Sequence, residues 1–577
     1  MTSSADAPSG ESATRRTRLT RACTAVWSHP LVVVAIGATL VAVGHAVWIW
    51  RYRHVGAIDP DEAGYIASAL RMRRAIVDLD PVELVRAVAG SGNGVTVPVI
   101  SALLLLVGPL DPRTAMMAQP ILLVLGAVAV AGAARRIGGS WSAIAAGLTF
   151  AVLPTTATAT QSYWFGLGSA TFAAAAMWAL LASDRARNSR IWWFGLCTGL
   201  MWLTRTMTLG YAPAMIAAAV VVAAPHRRSL VRAAASIGVA VLVAGPWYAV
   251  NASSIFRYLL SYGYGPRAAR FGDGGPLERL EFRLERMQIA FGARTLTVLV
   301  VSAAIVAAVA IVARMRSGDG SGDSPARRLL QWVTRPAPRG ALAMATATVL
   351  GTAALVSTSN NGVWFELPVV VFSVILLFGV LGAAPTWWKV VLSAGLLVVA
   401  GWNHAAHWWL VDYRPGGFTA HYEYGFEQYD DRFGPTTREL HAQAAREWYD
   451  LDEEVLRSVR SDSGGDPVLT VSGNMVLFNS NDLWLAGELD GRPPDIQVPD
   501  TADPESIADA LTPMVGSGST TRERVVVVAR HDRTLFTPDD DVDELYAEAL
   551  RQGWRPSERI PMPSGGEVVV LRWHGDR

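Results

Sequence analysis

Apolar runs close to twenty residues long recur along this chain, beginning with "LVVVAIGATLVAVGHAVWIW" at 31–50. Each is near the ~20 residues that carry a helix across a bilayer. Repetition of such runs leaves little choice of fold class, because inside hydrocarbon a backbone must satisfy its own hydrogen bonds, and helices do so. The composition agrees: 577 residues, 51% hydrophobic, 17% charged, with a mean hydropathy of +0.27. The reading is a polytopic α-helical membrane protein. A net charge of +1 and the lack of a dense basic block give no support to a nucleic-acid partner. Cys23 precedes the first run and Cys197 lies within another, so no mutual disulfide is expected.

Basic clusters flanking the runs set the topology, since Lys and Arg tend to remain cytoplasmic. "RRTRLTR" at 15–21 places the N-terminus inside, and 1–30 reads as a cytoplasmic tail. "ARRIGGS" (134–140), "SDRARNSR" (183–190), "PHRRSLVR" (225–232) and "RMRSGDGSGDSPARR" (314–328) mark later inner loops. They share one side only if "VTVPVISALLLLVGP", from residue 95, does not cross. That run is also short for a span. Eleven spans follow: 31–50, 114–133, 141–157, 166–182, 191–208, 210–224, 232–250, 293–313, 340–357, 367–383 and 388–403. The transmembrane domain is then 31–403, with large outer loops at 51–113 and 251–292. Within the first loop, 61–79 has the three- and four-residue apolar spacing of an amphipathic helix on the membrane surface. "AGSGNG" (89–94) is a turn, and the short apolar helix follows. Trp192, Trp193, Trp247, Trp387, Trp388, Trp408 and Trp409 fall near span ends, as interfacial anchors do.

Residues 404–577 differ in character. A helical pattern at 437–459 precedes strand-like runs at 467–473, 523–530 and 567–573, with helical patterns at 504–514 and 540–552 among them. This predicts an extracytoplasmic α/β domain. It contains neither GxGxxG nor a P-loop.

The stretch "AIDPDEAGYI" (57–66) gathers Asp59, Asp61 and Glu62 just after the first span. Three readings fit. Asp59 or Asp61 caps the helix that follows; Asp59 and Asp61 hold a divalent metal through hard oxygen ligands; or a carboxylate takes a proton from an acceptor hydroxyl. The last needs cations for a phosphate leaving group. Arg205, in "WLTRTMTLGYAP" near the outer end of a span, is one candidate. Arg267 and Arg270, in "YLLSYGYGPRAARFGDGG", are others. A carrier of lipid-linked sugars across the membrane and a non-catalytic scaffold of envelope-glycan assembly are the alternative classes.

"DPDEAGY" after the first span resembles the Asp-Glu signature of the GT-C glycosyltransferase superfamily, in the branch of aminoarabinose transferases and protein O-mannosyltransferases. "ARRIGG", "GLCTGLMWLTRTMTLGYAPAM", "RYLLSYGYGPRAARFG" and "STSNNGVWFELPVVVF" occur in the order that family uses, over about residues 30–400. The resemblance implies a GT-C-like fold and an inverting transfer from a polyprenyl-phosphate-linked sugar to an extracytoplasmic glycan, glycolipid or protein. It implies neither a nucleotide sugar nor an obligatory cofactor or metal. It maps the catalytic base to Asp61, its partner in positioning or an alternative base to Glu62, donor-phosphate contacts to Arg270 and Phe271, and an aromatic contact to Trp364. Tyr65 ends the signature. Gln161 and Tyr163 stand in the short loop where the family often has a second Asp, and they complete the candidate pocket with Tyr65, Phe271 and Trp364. Val97 and Pro98 replace a basic residue before Pro-Pro, and Asn360 and Asn361 replace a Lys. The implied location is the plasma membrane, with the C-terminal domain outside.

Overall fold

The computed structural model describes residues 28–53, 60–265, 274–316, 331–358, 365–409, 438–461, 467–472, 478–499, 504–515, 522–530, 539–563 and 565–574, with positions 324, 327 and 360. Helices occupy the positions of the predicted spans, except that the one expected over 191–208 is the shorter Arg190–Trp202, which ends before the extended backbone at Arg205. Six stretches are long and apolar enough to cross a membrane: Pro30–Tyr52, Pro112–Val152, Thr206–Ala223, Arg227–Val250, Arg294–Arg316 and Pro336–Ser357. Gly166–Leu181, Leu367–Leu381 and Thr386–Trp402 are shorter apolar helices. Their outward faces carry side chains that water would not tolerate in such number, among them Leu242 (76% exposed), Val309 (62%) and Val398 (71%). The chain is a multi-pass membrane protein. Thr96–Val107 is a helix of 12 residues. At 1.5 Å per residue it is about 18 Å long, against the ~30 Å of the hydrocarbon core.

Two compact units form: Met1–Gly44, Pro120–Ala157 and Gly166–Tyr422 in one, His45–Gln119, Thr158–Phe165 and Glu423–Arg577 in the other. The first is the helical bundle. Its Ala118–Val152 segment is broken at Gly139, where φ is +82°. Only glycine enters that region without steric cost. The two halves fold back on each other, since a Cβ on Gly147 would stand 2.9 Å from the Ala127 carbonyl oxygen. This is the turn expected at "ARRIGGS".

Close packing elsewhere in the bundle also depends on missing side chains. Arg190–Trp202 lies against Arg227–Val250 so tightly that a Cβ on Gly195 would stand 2.0 Å from the Ser236 carbonyl oxygen, and one on Gly199 2.8 Å from Val243 Cβ. Small residues four apart permit this approach where lipid gives helices no hydrophobic reason to associate.

In the second unit, the C-terminal chain forms a sheet of order β2-β1-β4-β6-β5, with β3 paired to β4. The strands are β1 (Val468–Ser472), β2 (Asp495–Gln497), β3 (Met514–Val515), β4 (Arg522–Arg530), β5 (Trp554–Pro561) and β6 (Glu567–Trp573). β1 runs parallel to β2 and β4, and β6 antiparallel to β4 and β5. Alternation divides the core: Val525 and Val527 face Trp448, Leu451 and Val455 of the Arg438–Ser461 helix, while Val526 and Val528 face Val542, Leu545 and Ala549 of Asp539–Arg551. The sequence pattern gives β1, β4 and β6 but not β5, "WRPSERIP", whose middle residues are exposed. As an edge strand carrying two prolines, it lacks the apolar signal.

The Pro60–Val77 helix matches the predicted 61–79, yet it is covered on more sides than a surface helix would be. Ile66, Ala67, Ala69 and Leu70 are buried, and Val77 near its end is 53% exposed. Thr96–Val107 packs on one side of it and the Ser480–Leu489 helix on another. Arg74 pairs with Glu488 at 2.9 Å, and a Cβ on Gly64 would stand 3.1 Å from Asn481.

Two tests follow from the packing. Gly195→Ala lowers stability by about 1–3 kcal/mol, whereas Gly238→Ala, with nothing within 4 Å of the added carbon, does not; thermal unfolding of the purified protein distinguishes them. Asp452 is buried at 3% exposure, and burial, then the Asp482 and Glu453 carboxylates, push its pKa well above the ordinary value. The protonated form is favoured in the folded chain, so this group's cost grows as pH rises through its folded pKa. Asp452→Asn therefore raises the melting temperature at pH 7.5, and the gain shrinks towards pH 4.

Candidate active site

The acidic signature opens the Pro60–Val77 helix, with Asp61 and Glu62 in its first turn. Negative charge is favourable there, beside unpaired backbone N–H groups and the positive end of the helix dipole. The two carboxylates have different surroundings. Glu62 is fully buried and takes Arg53 Nη2 on both oxygens, at 2.6 and 2.7 Å. The Tyr163 backbone N–H donates to Glu62 Oε1 at 2.6 Å. Arg53, just past the Pro30–Tyr52 helix, is 2% exposed, and its Nε and Nη1 make no hydrogen bond. Glu62 thus joins the end of the first helix, the start of the next and the 158–165 loop. Asp61 is partly exposed.

Tyr65, one turn on, stacks on Phe165 with ring centroids 3.9 Å apart and accepts a hydrogen bond from Asn93 Nδ2 at 2.9 Å. Asn93 belongs to the Gly-rich turn. Tyr163 is wholly buried; its hydroxyl donates to Ser101 Oγ, which donates to the Ala115 carbonyl at 2.8 Å. Burial raises its phenol pKa. Gln161 Nε2 donates to His45 Nδ1 at 3.0 Å, and Gln119 Nε2 to the Trp164 carbonyl at 2.8 Å. The structure therefore brings Glu62, Tyr65, Gln161 and Tyr163 together as one hydrogen-bonded and stacked framework. Asp59 lies outside the described residues. Among those described, no group of three or more His, Cys, Asp or Glu could hold a metal ion.

In the bundle unit, Arg205 precedes the 3-10 turn Thr206–Tyr211 with an extended backbone (φ −160°, ψ 141°). Thr208 Oγ1 lies 2.5 Å from the Arg205 carbonyl oxygen and fixes the turn. The Arg205 side chain is 7% exposed, its guanidinium 4.1 Å from the centre of the Phe365 ring. Tyr211 donates its hydroxyl proton to the Phe365 carbonyl. Arg205 lines a pocket of about 240 Å³ with Ser169, Leu209, Tyr264, Leu355 and Phe365, among others. Among the described residues the wall is mainly apolar with one cation, which suits an amphiphile with an anionic end.

Arg267, Arg270, Phe271 and Trp364 fall outside the described residues. Sequence reasoning missed a second cation in this unit. Arg283, on the Pro276–Phe291 helix, is 2% exposed and donates to the Asn360 carbonyl at 2.7 Å. Burial lowers its pKa, and Glu366 opposes that shift. Arg283 thus meets the backbone at Asn360, one of the two asparagines standing where a Lys was expected. It sits among Glu281, Glu285 and Arg286 in an amphipathic helix, and nothing in that run marks it as buried. Arg53, in "RYRHVG", reads as an ordinary basic flank.

Removing one member of a buried ion pair costs about 3–5 kcal/mol. Glu62→Ala and Arg53→Ala should each destabilise the protein on that scale, with strong non-additivity in the double variant. Denaturant unfolding of all three reads it; additive losses would contradict the pairing.

No family model matches the sequence, and no curated protein matches it. Among solved structures, ArnT from Cupriavidus metallidurans bound to undecaprenyl phosphate superposes with a TM-score of 0.53 at 13% identity, covering 93% of this chain and 98% of that one. Apo ArnT gives 0.52 over the same shares. The archaeal oligosaccharyltransferase AglB from Archaeoglobus fulgidus reaches 0.46 at 12% identity, covering 94% of this chain and 74% of that one. Over nearly the full length of both chains, this protein has the fold of the GT-C glycosyltransferase ArnT.

Proposed function

We propose that the chain transfers a sugar from a polyprenyl-phosphate carrier to a hydroxyl-bearing acceptor outside the membrane. The observation that carries this is the Arg205 pocket, an apolar recess with a buried guanidinium, in a fold shared with a protein crystallised with undecaprenyl phosphate. Asp61 acts as general base. The acceptor oxygen attacks the anomeric carbon opposite the phosphate, its proton passes to Asp61, and the bond from that carbon to the phosphate oxygen breaks. Configuration inverts and polyprenyl phosphate leaves. Arg205, with Arg270 and Arg267, balances the charge gathering on the phosphate. Glu62 holds Asp61 in place through Arg53 and Tyr163. Phe271 and Trp364 contact the donor, and Tyr65, Gln161 and Tyr163 brace the segment that carries Asp61. The donor is a lipid-linked sugar, so neither a nucleotide sugar nor an obligatory metal enters. The C-terminal α/β domain positions an envelope glycan, glycolipid or protein acceptor.

Mass spectrometry of lipid-linked sugars in a deletion strain tests the reading. The donor should accumulate, and wild-type chain should clear it. Asp61→Asn should reduce turnover by at least ~100-fold, the lower range for loss of a general base. Arg205→Gln should weaken donor use by roughly tenfold or more, as expected for a lost charge-assisted hydrogen bond. Clearance by Asp61→Asn at the wild-type rate would sink the assignment.

A further inference from the structure

The bundle has two chemically distinct ends. The Arg205 pocket lies where Gly166–Leu181 begins and Pro336–Ser357 finishes. At the other ends of those helices arginines collect without acidic partners. A groove of about 920 Å³ is lined there by Arg187, Arg227, Arg228, Arg232 and His226, with Ser229 and Val231. Arg187 comes from the loop before Arg190–Trp202, and the others from the start of Arg227–Val250.

These cations are held by carbonyls and by one another's elements. Arg232 Nη1 donates to the Arg187 carbonyl. Arg185 Nη1 lies 3.1 Å from His226 Nε2, and Arg185 Nη2 donates to the Thr334 carbonyl at 3.2 Å. Arg339 donates to that same carbonyl; it is 5% exposed, and its Nη1 has no partner. Among the described residues, none of these guanidiniums pairs with a carboxylate. Asp184, the acidic side chain in the loop, is exposed and makes no ion pair.

The loop pays a conformational cost to hold this arrangement. Asp184, Arg185 and Ala186 all have left-handed backbones, with φ of 47°, 59° and 61°. Three such residues in succession, none of them glycine, are strained. Ser183 Oγ accepts the Ala186 N–H at 3.0 Å and so braces the turn that presents Arg185.

Two further features define the occupant. The Arg227–Val250 helix has no acidic residue in its first turn and no side-chain cap, so the positive end of its dipole adds to the arginines. Trp192 and Trp193, 44% and 61% exposed, begin the neighbouring helix, as tryptophans do at headgroup depth. Val231, 62% exposed, gives the groove an apolar side. Four guanidiniums offer more paired donors than one phosphodiester has free oxygens to accept.

We propose that this groove binds the headgroup of a membrane phospholipid carrying two phosphates joined by a short polyol bridge. The site is independent of the transfer reaction, which uses the other ends of these helices. The full chain, purified and delipidated in detergent, can be titrated with cardiolipin and read by native mass spectrometry. One cardiolipin per chain should bind, about tenfold more tightly than phosphatidylglycerol, which carries one phosphate. Arg227→Gln with Arg228→Gln should weaken cardiolipin about 25-fold, at roughly a factor of five per arginine. Both side chains are exposed and make no hydrogen bond among the described residues, so the fold should survive. A control removing the same charge elsewhere, Arg257→Gln with Arg316→Gln, should change binding less than threefold. Equal losses in both double variants would reduce the groove to general surface charge and overturn the proposal. So would equal affinity for phosphatidylglycerol, or displacement of the lipid by micromolar inorganic pyrophosphate.

Discussion

A carboxylate and a guanidinium removed from water hold the candidate active site in register. Glu62 and Arg53 are nearly inaccessible, and each would be costly alone. Paired at 2.6 Å, with the Tyr163 N–H on the same carboxylate, they fix three segments that the sequence keeps far apart. The direction in which Asp61 is presented depends on that junction, because the two residues share one helical turn. Burial there contributes geometry more than net stability. Well-packed apolar residues would hold the segments together, but would not set the angle at which the helix leaves the junction.

The same economy appears in the loop at 158–165. Its Gln161, Tyr163 and Trp164 bond respectively to His45, Glu62 and Gln119. A short loop whose backbone and side chains are all engaged has little freedom to rearrange, and Tyr65 stacked on Phe165 extends that rigidity into the acidic helix. In the bundle, the counterpart is Arg205. It is held between an extended backbone and an aromatic face, and it lines a pocket whose other described residues are mainly apolar. A preorganised cation in a low-dielectric recess acts more strongly on an anion than the same charge in water.

Much of the architecture was legible from residue order. Apolar helices, the turn at Gly139 and the buried strands β1, β4 and β6 depend on local composition and on periods of 3.6 or 2, which a linear reading recovers. The carboxylate signature was equally visible, as was Arg205 as an arginine at a span end. The roles within the signature were not. Glu62 and Asp61 are neighbours of similar chemistry, and nothing in "DPDEAGY" says which is sealed off. Arg53 resembled a span-flanking base, and Arg283 one charge among several on an amphipathic helix.

The sequence by itself therefore determined the class of solvent, the succession of helices, the acidic motif and the clustering of arginines at one set of helix ends. Each follows from side-chain transfer energies summed over a short window. Tertiary structure alone decided that Glu62 is buried against Arg53, that Gln161 and Tyr163 turn inward, that Gly195 must lack a side chain and that Arg283 reaches the Asn360 carbonyl. These depend on contacts between residues tens to hundreds of positions apart, and no local window contains the partner that fixes them.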